Sequence, residues 1–335
     1  MIADITGQSV KQSSAGGPEG WRASIPDDVR AKIDDLHKIT PWTYLKILVL
    51  FAIWFICAAI AIQTDNLWIQ VPCWLIIGFA LHGMGVFMHE GAHNALFGKW
   101  WLDRPIGFLC GLTVFFPCSS YRATHMLHHK FENTDKDPDN LEANFPQEWL
   151  RSTIFYSWFL IGMPLYILQV VVLGPFRAQG WIEKLACIIE PLLVIAVAFW
   201  LYSVGMSTGS MDILLNGWIW ALPFTVLIAN FRGLAEHTQL HHDVPPDPLH
   251  STRSLKSNRF ISFFFNNQNH HLEHHIYPEV PWDNLSKVHA LLLPVYEKHH
   301  ASIADGYGLW IVDALRYGPN RTMSYKDGRA VWDTP

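Results

Sequence analysis

Four long apolar stretches constrain the fold more than any other feature of this sequence. They span residues 45–62, 71–88, 185–204 and 213–235. Each is about as long as a helix that crosses the hydrocarbon core of a bilayer. Overall, 50% of the 335 residues are hydrophobic and only 16% are charged, whereas about a quarter are charged in ordinary soluble proteins. The sequence therefore predicts an all-α integral membrane protein with four transmembrane helices.

The positions of lysine and arginine predict how these helices are oriented. The connections 63–70 and 205–212 contain neither residue, and positive charge is concentrated elsewhere. Because cytosolic loops are enriched in Lys and Arg, both short connections are expected outside and both termini in the cytosol. The four helices therefore form two hairpins.

Two further apolar stretches are predicted not to cross the membrane. Residues 105–118 are too few to span a bilayer and fit a re-entrant or interfacial helix. Residues 154–173 are numerous enough, but Gly162 and Pro164 interrupt them, and a basic segment that begins at Arg177 follows. A crossing here would also place the histidine-rich segments on opposite sides of the membrane. This stretch is therefore expected to lie along the interface.

The remaining segments are predicted to be cytosolic tails. Residues 1–40 are polar, lack the apolar core of a signal peptide and contain a short helix at 27–38. They precede a membrane domain at 41–295, and residues 296–335 form the second tail. A net charge of −5 gives no reason to expect nucleic acid as a partner. The five cysteines lie singly in apolar stretches, which argues against a disulfide framework or an iron–sulfur site.

Half of the eighteen histidines form a pattern at the predicted cytosolic ends of helices. The first cluster, HEGAH, has histidines at i and i+4. The second, HMLHH, and the third, HLEHH, have them at i, i+3 and i+4, so each cluster places its imidazoles on one helical face. A single histidine ends the fourth apolar stretch. The nine residues are His89, His93, His125, His128, His129, His237, His271, His274 and His275.

These clusters predict a metal site. Many imidazoles packed together without metal would leave buried nitrogens unpaired and would repel one another on protonation. Sites with several imidazoles suit iron, zinc or copper.

The three histidine boxes, in this order and with these gaps, resemble those of the membrane fatty acid desaturase and hydroxylase superfamily. The resemblance extends to FENTDKDPDN after the second box, to IYPEVPWDNL after the third, and to RGLAEH and Thr252-Arg253-Ser254 between them. It covers residues 41–293. It implies two iron ions in a cytosolic helical cap, with all nine histidines as ligands and no catalytic residue beyond the metal centre.

The resemblance also implies a reaction and its partners. O₂ is the co-substrate of an oxidoreductase that desaturates or hydroxylates an alkyl chain. The substrate stays open among a fatty acyl chain, a lipid-linked acyl group, a carotenoid and an amphiphilic small molecule, with an acyl chain favoured, and the bacterial inner membrane is the expected location. Desaturation and hydroxylation are not separable from the sequence. It contains no dinucleotide fingerprint and no cysteine set for a cluster, so an external ferredoxin, rubredoxin or cytochrome is expected to supply electrons. Zinc can replace iron on overexpression.

Neighbouring polar residues are assigned supporting roles. Carboxylates beside the histidines are expected to orient imidazoles by accepting the second ring N–H. They are Glu90, Glu236, Glu273, Asp137 and Asp139. Asn230 is assigned a metal-bound water, while His241, His242 and His270 are left open between metal contact and a supporting or surface role.

Two surfaces are also predicted. An apolar substrate tunnel is expected along Trp218, Trp220 and Phe224. A basic docking surface for the electron donor is assigned to Arg151, Arg177, Lys184 and Arg253.

Two other classes of protein remain alternatives. HEGAH satisfies the pattern of zinc metalloproteases, with His89 and His93 as ligands and Glu90 as general base. Such a site needs one further ligand and leaves two histidine triplets unexplained. A metal transporter would place its ligands near the bilayer midplane on broken helices, whereas these clusters lie past helix ends.

Overall fold

The computed structural model describes residues 2–3, 9–10, 20–140, 144–240, 247–320, 323–326 and 329–332. Helices dominate these residues, as predicted. The strands that are described form three short pairs. β1 (Ile2–Ala3) is antiparallel to β2 (Ser9–Val10), β3 (Ser254–Leu255) is parallel to β4 (Ile303–Ala304), and β5 (Met323–Lys326) is antiparallel to β6 (Arg329–Trp332).

The α-helices are numbered in chain order. The first seven are α1 (Asp27–Asp35), α2 (Trp42–Ile62), α3 (Leu67–His93), α4 (Trp100–Leu112), α5 (Cys118–Phe131), α6 (Glu148–Arg177) and α7 (Trp181–Thr208). The others are α8 (Met211–Gly217), α9 (Leu222–His237), α10 (Pro248–Ser251), α11 (Arg259–Phe264), α12 (His271–Ile276), α13 (Leu285–His299) and α14 (Tyr307–Tyr317).

Among the described residues, five segments are long and apolar enough to cross a membrane. They are α2, α3, α6, α7 and the run Met211–His237, which comprises α8, a 3₁₀ turn and α9. The 21 residues of α2 rise by about 1.5 Å each, so its length matches a hydrocarbon core of about 30 Å. Four of the five segments contain the four predicted spans, and α6 is the additional candidate.

Asparagines delimit the helix that contains the first histidine box. The side chain of Asn66 accepts the N–H of Trp68 and caps the first turn of α3. Asn94 adopts the left-handed conformation that ends many helices, with φ of 59°. The box therefore occupies the last turns of α3, as predicted.

Helix α6 is continuous where the sequence predicts an interruption. Gly162 and Pro164 both lie inside it, so the predicted break is wrong. A proline removes one backbone donor and crowds the preceding turn. The N–H of Met163 donates to Asn230 Oδ1 at 2.6 Å, so a neighbouring side chain compensates for the disturbed backbone ladder, as occurs in membrane helices.

The short apolar stretch predicted at 105–118 has different boundaries. Its first part lies in α4, which begins at Trp100, and Cys118 is the first residue of α5. The early start follows from the buried carboxylate of Asp103, which folds the preceding loop onto the first turn. It accepts, at 2.7 to 2.9 Å, the N–H groups of Leu96, Phe97 and Lys99.

The chain divides into two compact units, which are described separately. Unit 1 contains Met1–Ile39, His125–Phe159 and Phe231–Pro335, and unit 2 contains Thr40–Thr124 and Leu160–Asn230. Helices α5, α6 and α9 each contribute residues to both.

Unit 2 contains the apolar helices and an aromatic cluster. Trp218 packs on Phe115 and Trp54, with ring centroids 4.8 and 5.7 Å away, and its Nε1–H donates to the carbonyl of Thr113. Trp220 is exposed and lies near Trp74. Both tryptophans therefore have packing contacts with other aromatic residues. The substrate tunnel predicted along them stays a prediction.

Two apolar cores are found among the described residues of unit 1. One lies among α1, α12 and α13 and contains Ile33, Leu272, Ile276, Val288 and Leu292. The other is built from Phe155, Phe159, Leu234, Ala235, Leu255, Ala304, Trp310 and Ala314. Together these cores support the backbone that carries the third histidine box and the end of α9.

Candidate metal centre

The first histidine box lies in unit 2, at the end of α3. The rings of His89 and His93 are 4.8 Å apart, and Glu90 Oε1 lies 3.5 Å from His89 Nδ1. Gly91 permits a close crossing with α4, because a Cβ there would lie 2.7 Å from the carbonyl oxygen of Asp103. The last turn of α3 is therefore held in place by backbone packing.

Three histidines of the second and third boxes form a group in unit 1, the first imidazole group. It consists of His125 and His129 on α5 and His274 on α12, and their ligand atoms lie within 4.8 Å of one another. The Nε2 atoms of His125 and His129 are 3.0 Å apart. The rings of His129 and His274 are 5.0 Å apart.

The second imidazole group, also in unit 1, comprises His128, His237, His271 and His275. Nε2 of His271 lies 2.8 Å from Nε2 of His237 and 3.1 Å from Nε2 of His275. The ligand atoms of His128, His237 and His275 lie within 4.8 Å of one another. The structure thus brings seven of the nine predicted ligands into two groups, and His89 and His93 are paired in unit 2.

The other ring nitrogen of three members of the second group faces a carboxylate. Nδ1 of His128 lies 2.9 and 3.0 Å from the two oxygens of Asp137. Nδ1 of His275 is 3.2 Å from Glu132, and Nδ1 of His271 is 3.4 Å from Glu236. A carboxylate that accepts the Nδ1–H leaves the Nε2 lone pair available to a metal. The sequence prediction named Asp137 and Glu236 but missed Glu132, although it lies in the acidic segment after the second box.

Burial and the nearby carboxylates have opposite effects on the pKa values of the imidazoles. Burial lowers the pKa of His128, but the charge and hydrogen bond of Asp137 outweigh it and raise that pKa to about 9. Burial, followed by the nearby imidazoles of His237 and His275, holds the pKa of His271 well below its ordinary value. His271 is therefore neutral at physiological pH, which is the form that binds metals.

The second group fits a metal ion better than a metal-free hydrogen-bond network. Two imidazole nitrogens bound to one ion at about 2.1 Å lie about 3 Å apart when their bonds are near perpendicular. His271 Nε2 has two nitrogen neighbours at about this spacing, yet one ring nitrogen forms only one good hydrogen bond. His128 Nε2 is buried and has no hydrogen-bond partner among the described residues. A bound cation satisfies all of these nitrogens.

The side chains of three consecutive residues, Thr252, Arg253 and Ser254, form hydrogen bonds with the end of α9 and with the third histidine box. We name them the clasp. Thr252 Oγ1 donates to the carbonyl of Glu236, and Ser254 Oγ accepts the N–H of Leu272 and donates to Glu273 Oε2. The clasp therefore contacts the neighbours of His237 and of His271.

Arg253 is the central residue of the clasp and is completely buried. Its guanidinium donates to the carbonyls of Ala235, Thr238 and Gln239 at 2.8 to 3.3 Å, around the C-terminal end of α9. A cation at this position also interacts favourably with the helix dipole. The predicted role of Arg253 in a surface for the electron donor is wrong, because this residue is not accessible.

The remaining predicted neighbours are placed as follows. His270 lies beside His289, with ring centroids 4.9 Å apart, rather than in either imidazole group. Glu273 contacts His289 Nδ1 at 2.6 Å instead of orienting one of the nine histidines, so its predicted role is corrected. Asn230 Oδ1 accepts from a backbone amide of α6. His241 and His242 lie outside the described residues.

Exchanging Asp137 for asparagine tests the role of the carboxylates. In Asp137→Asn we expect metal affinity to fall by about 10- to 100-fold, because His128 loses the group that fixes its ring and tautomer. Metal titration of the purified protein gives the measurement. Asp135→Asn is the matched control, since Asp135 is exposed and two residues away. Equal affinities of the two variants would contradict the role of Asp137.

Comparison with known proteins agrees with this geometry. The family model described as "Fatty acid desaturase" matches residues 65–307. An sn-1 oleoyl-lipid 12-desaturase from Picosynechococcus is 23% identical over 306 residues, which cover 79% of this chain and 80% of the relative. A sphingolipid delta(4)-desaturase DES1-like protein from Arabidopsis thaliana is 24% identical over 307 residues, covering 88% and 85%.

A human sphingolipid delta(4)-desaturase shows a similar relationship, with 24% identity over 277 residues and coverage of 77% and 78%. These matches favour neither the zinc protease nor the metal transporter. The family match includes all three histidine boxes, the clasp and most of the apolar segments. The chain therefore belongs to the fatty acid desaturase family and is a membrane-bound oxidoreductase.

Proposed function

We propose that this protein is an O₂-dependent di-iron desaturase that acts on the fatty acyl chain of a lipid. The two imidazole groups of unit 1 are the observation that carries the proposal, because they offer two separate sets of nitrogen ligands. The proposed ligands are all nine histidines. His89 and His93 are included on the family's box pattern alone.

In the proposed reaction, an alkane segment loses two hydrogens and becomes an alkene, while O₂ takes up four electrons and becomes two molecules of water. Two electrons come from the substrate and two, with two protons, from outside. Bound iron supplies the oxidising power that no side chain has. Desaturation is preferred over hydroxylation because the relatives are named as desaturases.

The residues of this chain have positioning and shielding roles. Asp137 accepts from Nδ1 of His128 and keeps that ring in the tautomer that presents Nε2. Glu132 and Glu236 lie 3.2 and 3.4 Å from Nδ1 of His275 and His271 and would balance part of the charge of a cation. The hydrogen-bond partner of His271 Nδ1 is Gln268 Oε1. All three carboxylates are buried. Their burial limits access of water, which protects a strong oxidant from side reactions.

The proposed topology has four crossings in two hairpins, with both termini and a cytosolic helical cap on one side. Three candidate spans, α6, α7 and Met211–His237, separate His128 from His237. The rings of these two histidines are 4.6 Å apart, so the chain between them crosses the membrane an even number of times. Helix α6 is the proposed interfacial segment, because Arg151 and Arg177 lie near its two ends.

The electron donor and the cellular location are proposed from the resemblance to the desaturase family and from the proposed topology. The donor is proposed to be an external ferredoxin, rubredoxin or cytochrome that docks on the cytosolic side, and the location to be a bacterial inner membrane. The proposed catalytic domain comprises residues 41–295, between tails at 1–40 and 296–335. Two of the relatives are named for an oleoyl-lipid and for a sphingolipid, which supports a lipid-linked acyl chain as the substrate.

The proposed function is tested by supplying deuterated fatty acids to cells that express the protein. We expect acyl lipids with one additional double bond and two fewer deuterium atoms, because two vicinal hydrogens leave the chain. His274→Ala at equal expression is the control and should form no product. A hydroxylated lipid would assign hydroxylation instead, and product formation by the His274→Ala protein would refute the metal-dependent reaction.

A further inference from the structure

Helix α14 lies near the C-terminus, beyond the histidine boxes, and is apolar on two faces. Its inner face contains Trp310 and Ala314, which are buried in the second core of unit 1. Its outer face contains Leu309, Val312 and Leu315, which expose 64%, 62% and 55% of their surface. An exposed apolar surface opposite a buried face is ordinarily covered by protein or by lipid.

The inner face of α14 packs on the ends of two candidate membrane segments. Its neighbours in unit 1 are Phe155 and Phe159, near the beginning of α6, and Leu234 and Ala235, near the end of α9. The rings of Trp310 and Phe159 have centroids 6.3 Å apart. In the proposed topology α9 ends at the cytosolic interface and α6 lies along it, so α14, which packs on both, lies at the depth of that interface.

Hydrogen bonds fix α14 in this position. Near its end, the hydroxyl of Tyr156 on α6 donates to the carbonyl of Leu315 at 3.4 Å. At its beginning, the hydroxyl of Tyr307 donates to Glu236 at 3.2 Å, and Glu236 lies beside His271. Helix α14 is thus attached both to a candidate membrane segment and to the candidate metal centre.

The exposed side chains form one stripe. Leu309, Val312 and Leu315 follow one another at intervals of three residues, so they lie along one side of the helix. Tyr156 is also exposed and extends this apolar surface onto α6. The stripe is continuous with a segment whose own exposed residues face lipid in a membrane protein.

We propose that the outer face of α14 rests on the lipid of the cytosolic membrane interface and anchors the C-terminal segment there. The residues at the end of the helix fit such a surface. Arg316 is exposed next to the stripe, and its guanidinium carbon lies 5.2 Å from the ring centre of Tyr317. Aromatic residues concentrate at membrane interfaces, and a cation at this depth can reach lipid phosphates.

A protein partner fits this surface less well than lipid does. A stable interface buries roughly 800 Å² on each partner and surrounds an apolar centre with polar groups. Three aliphatic side chains provide only part of that area. An interfacial helix needs only a shallow apolar face and polar or cationic edges. The proposal rests on the contact of α6 with the membrane.

Spin labels in lipid nanodiscs test the proposal on the full chain. The background is Cys57→Ser, because Cys57 is half-buried and the other four cysteines are buried. Single labels are attached in Val312→Cys, in Leu168→Cys on the exposed side of α6, and in Lys298→Cys at an exposed polar position of α13. Power saturation compares the accessibility of each label to oxygen, which concentrates in lipid, and to a water-soluble nickel chelate.

We expect greater accessibility to oxygen at positions 312 and 168, and the reverse at position 298. If the label at 312 behaves as the label at 298 does, the outer face of α14 is in water and the proposal is wrong. Spin–spin broadening at 312 that increases with protein density would assign the face to a second copy of this chain and would also overturn it. A label at 168 in water would remove the premise, separately from any test of turnover.

Discussion

Replacing His128 by alanine should remove bound metal and abolish desaturation. Loss of a residue that only supports a ligand weakens metal binding by about 10- to 100-fold, so loss of a ligand should exceed about 100-fold. His128 belongs to the second imidazole group, and its Nδ1 is already held by Asp137. The alanine variant loses a nitrogen ligand and leaves the buried Asp137 carboxylate with only the backbone N–H groups of Asn133 and Asp139 as partners. Metal content per chain, measured after gentle detergent purification, gives the result.

His299→Ala is the matched control for this experiment. His299 is half-buried at the end of α13, contacts Ser24 Oγ at 3.0 Å and belongs to neither imidazole group. We expect its metal content and activity to remain those of the unchanged protein. About two metals per chain in the unchanged protein, lost in His128→Ala, would support the dinuclear centre. One metal per chain that persists in His128→Ala would contradict it, whichever metal is present.

Removing the guanidinium of Arg253 should have the largest effect on stability. The Arg253→Met side chain is similar in length but leaves two buried carbonyls and one part-buried carbonyl at the end of α9 without their donor. At about 1–3 kcal/mol for each unsatisfied buried group, we expect a loss of at least about 2 kcal/mol in the free energy of unfolding. Thermal unfolding in detergent, followed by tryptophan fluorescence, measures the change.

Lys256→Met provides the comparison, because it removes a positive charge three residues further along the chain. Lys256 is exposed and pairs with the exposed Asp305 at 2.8 Å, an arrangement that contributes at most about 1 kcal/mol. Its midpoint should stay close to that of the unchanged protein. If Arg253→Met were equally stable, the buried guanidinium would be dispensable for holding the end of α9.

The features that were predicted correctly depend on local sequence. The four apolar stretches are found inside helices because length and hydropathy determine which segments suit a bilayer. The histidine boxes lie on helices, as their spacings indicate, because residues three and four positions apart share one face of a helix. Asp137 was identifiable because it follows the second box by only eight residues.

The features that were missed depend on contacts between distant segments. The sequence predicts that Arg253 is a surface cation, whereas the folded chain buries it among the carbonyls at the end of α9. His289 contacts Glu273 from another helix, and no pattern in the sequence links the two. The continuity of α6 through Pro164 depends on Asn230, which lies 66 residues later in the chain. Propensity at Pro164 favoured a break, and tertiary contacts outweighed it.

The clasp has a consequence for how the protein matures in the cell. Its hydrogen bonds to Glu236, Leu272 and Glu273 involve only the polypeptide, so none of them requires a bound metal. If the proposed centre holds iron, we expect a chain made without iron to keep these contacts and to remain folded but inactive. We expect such a chain to regain activity by metal uptake alone, without new protein synthesis.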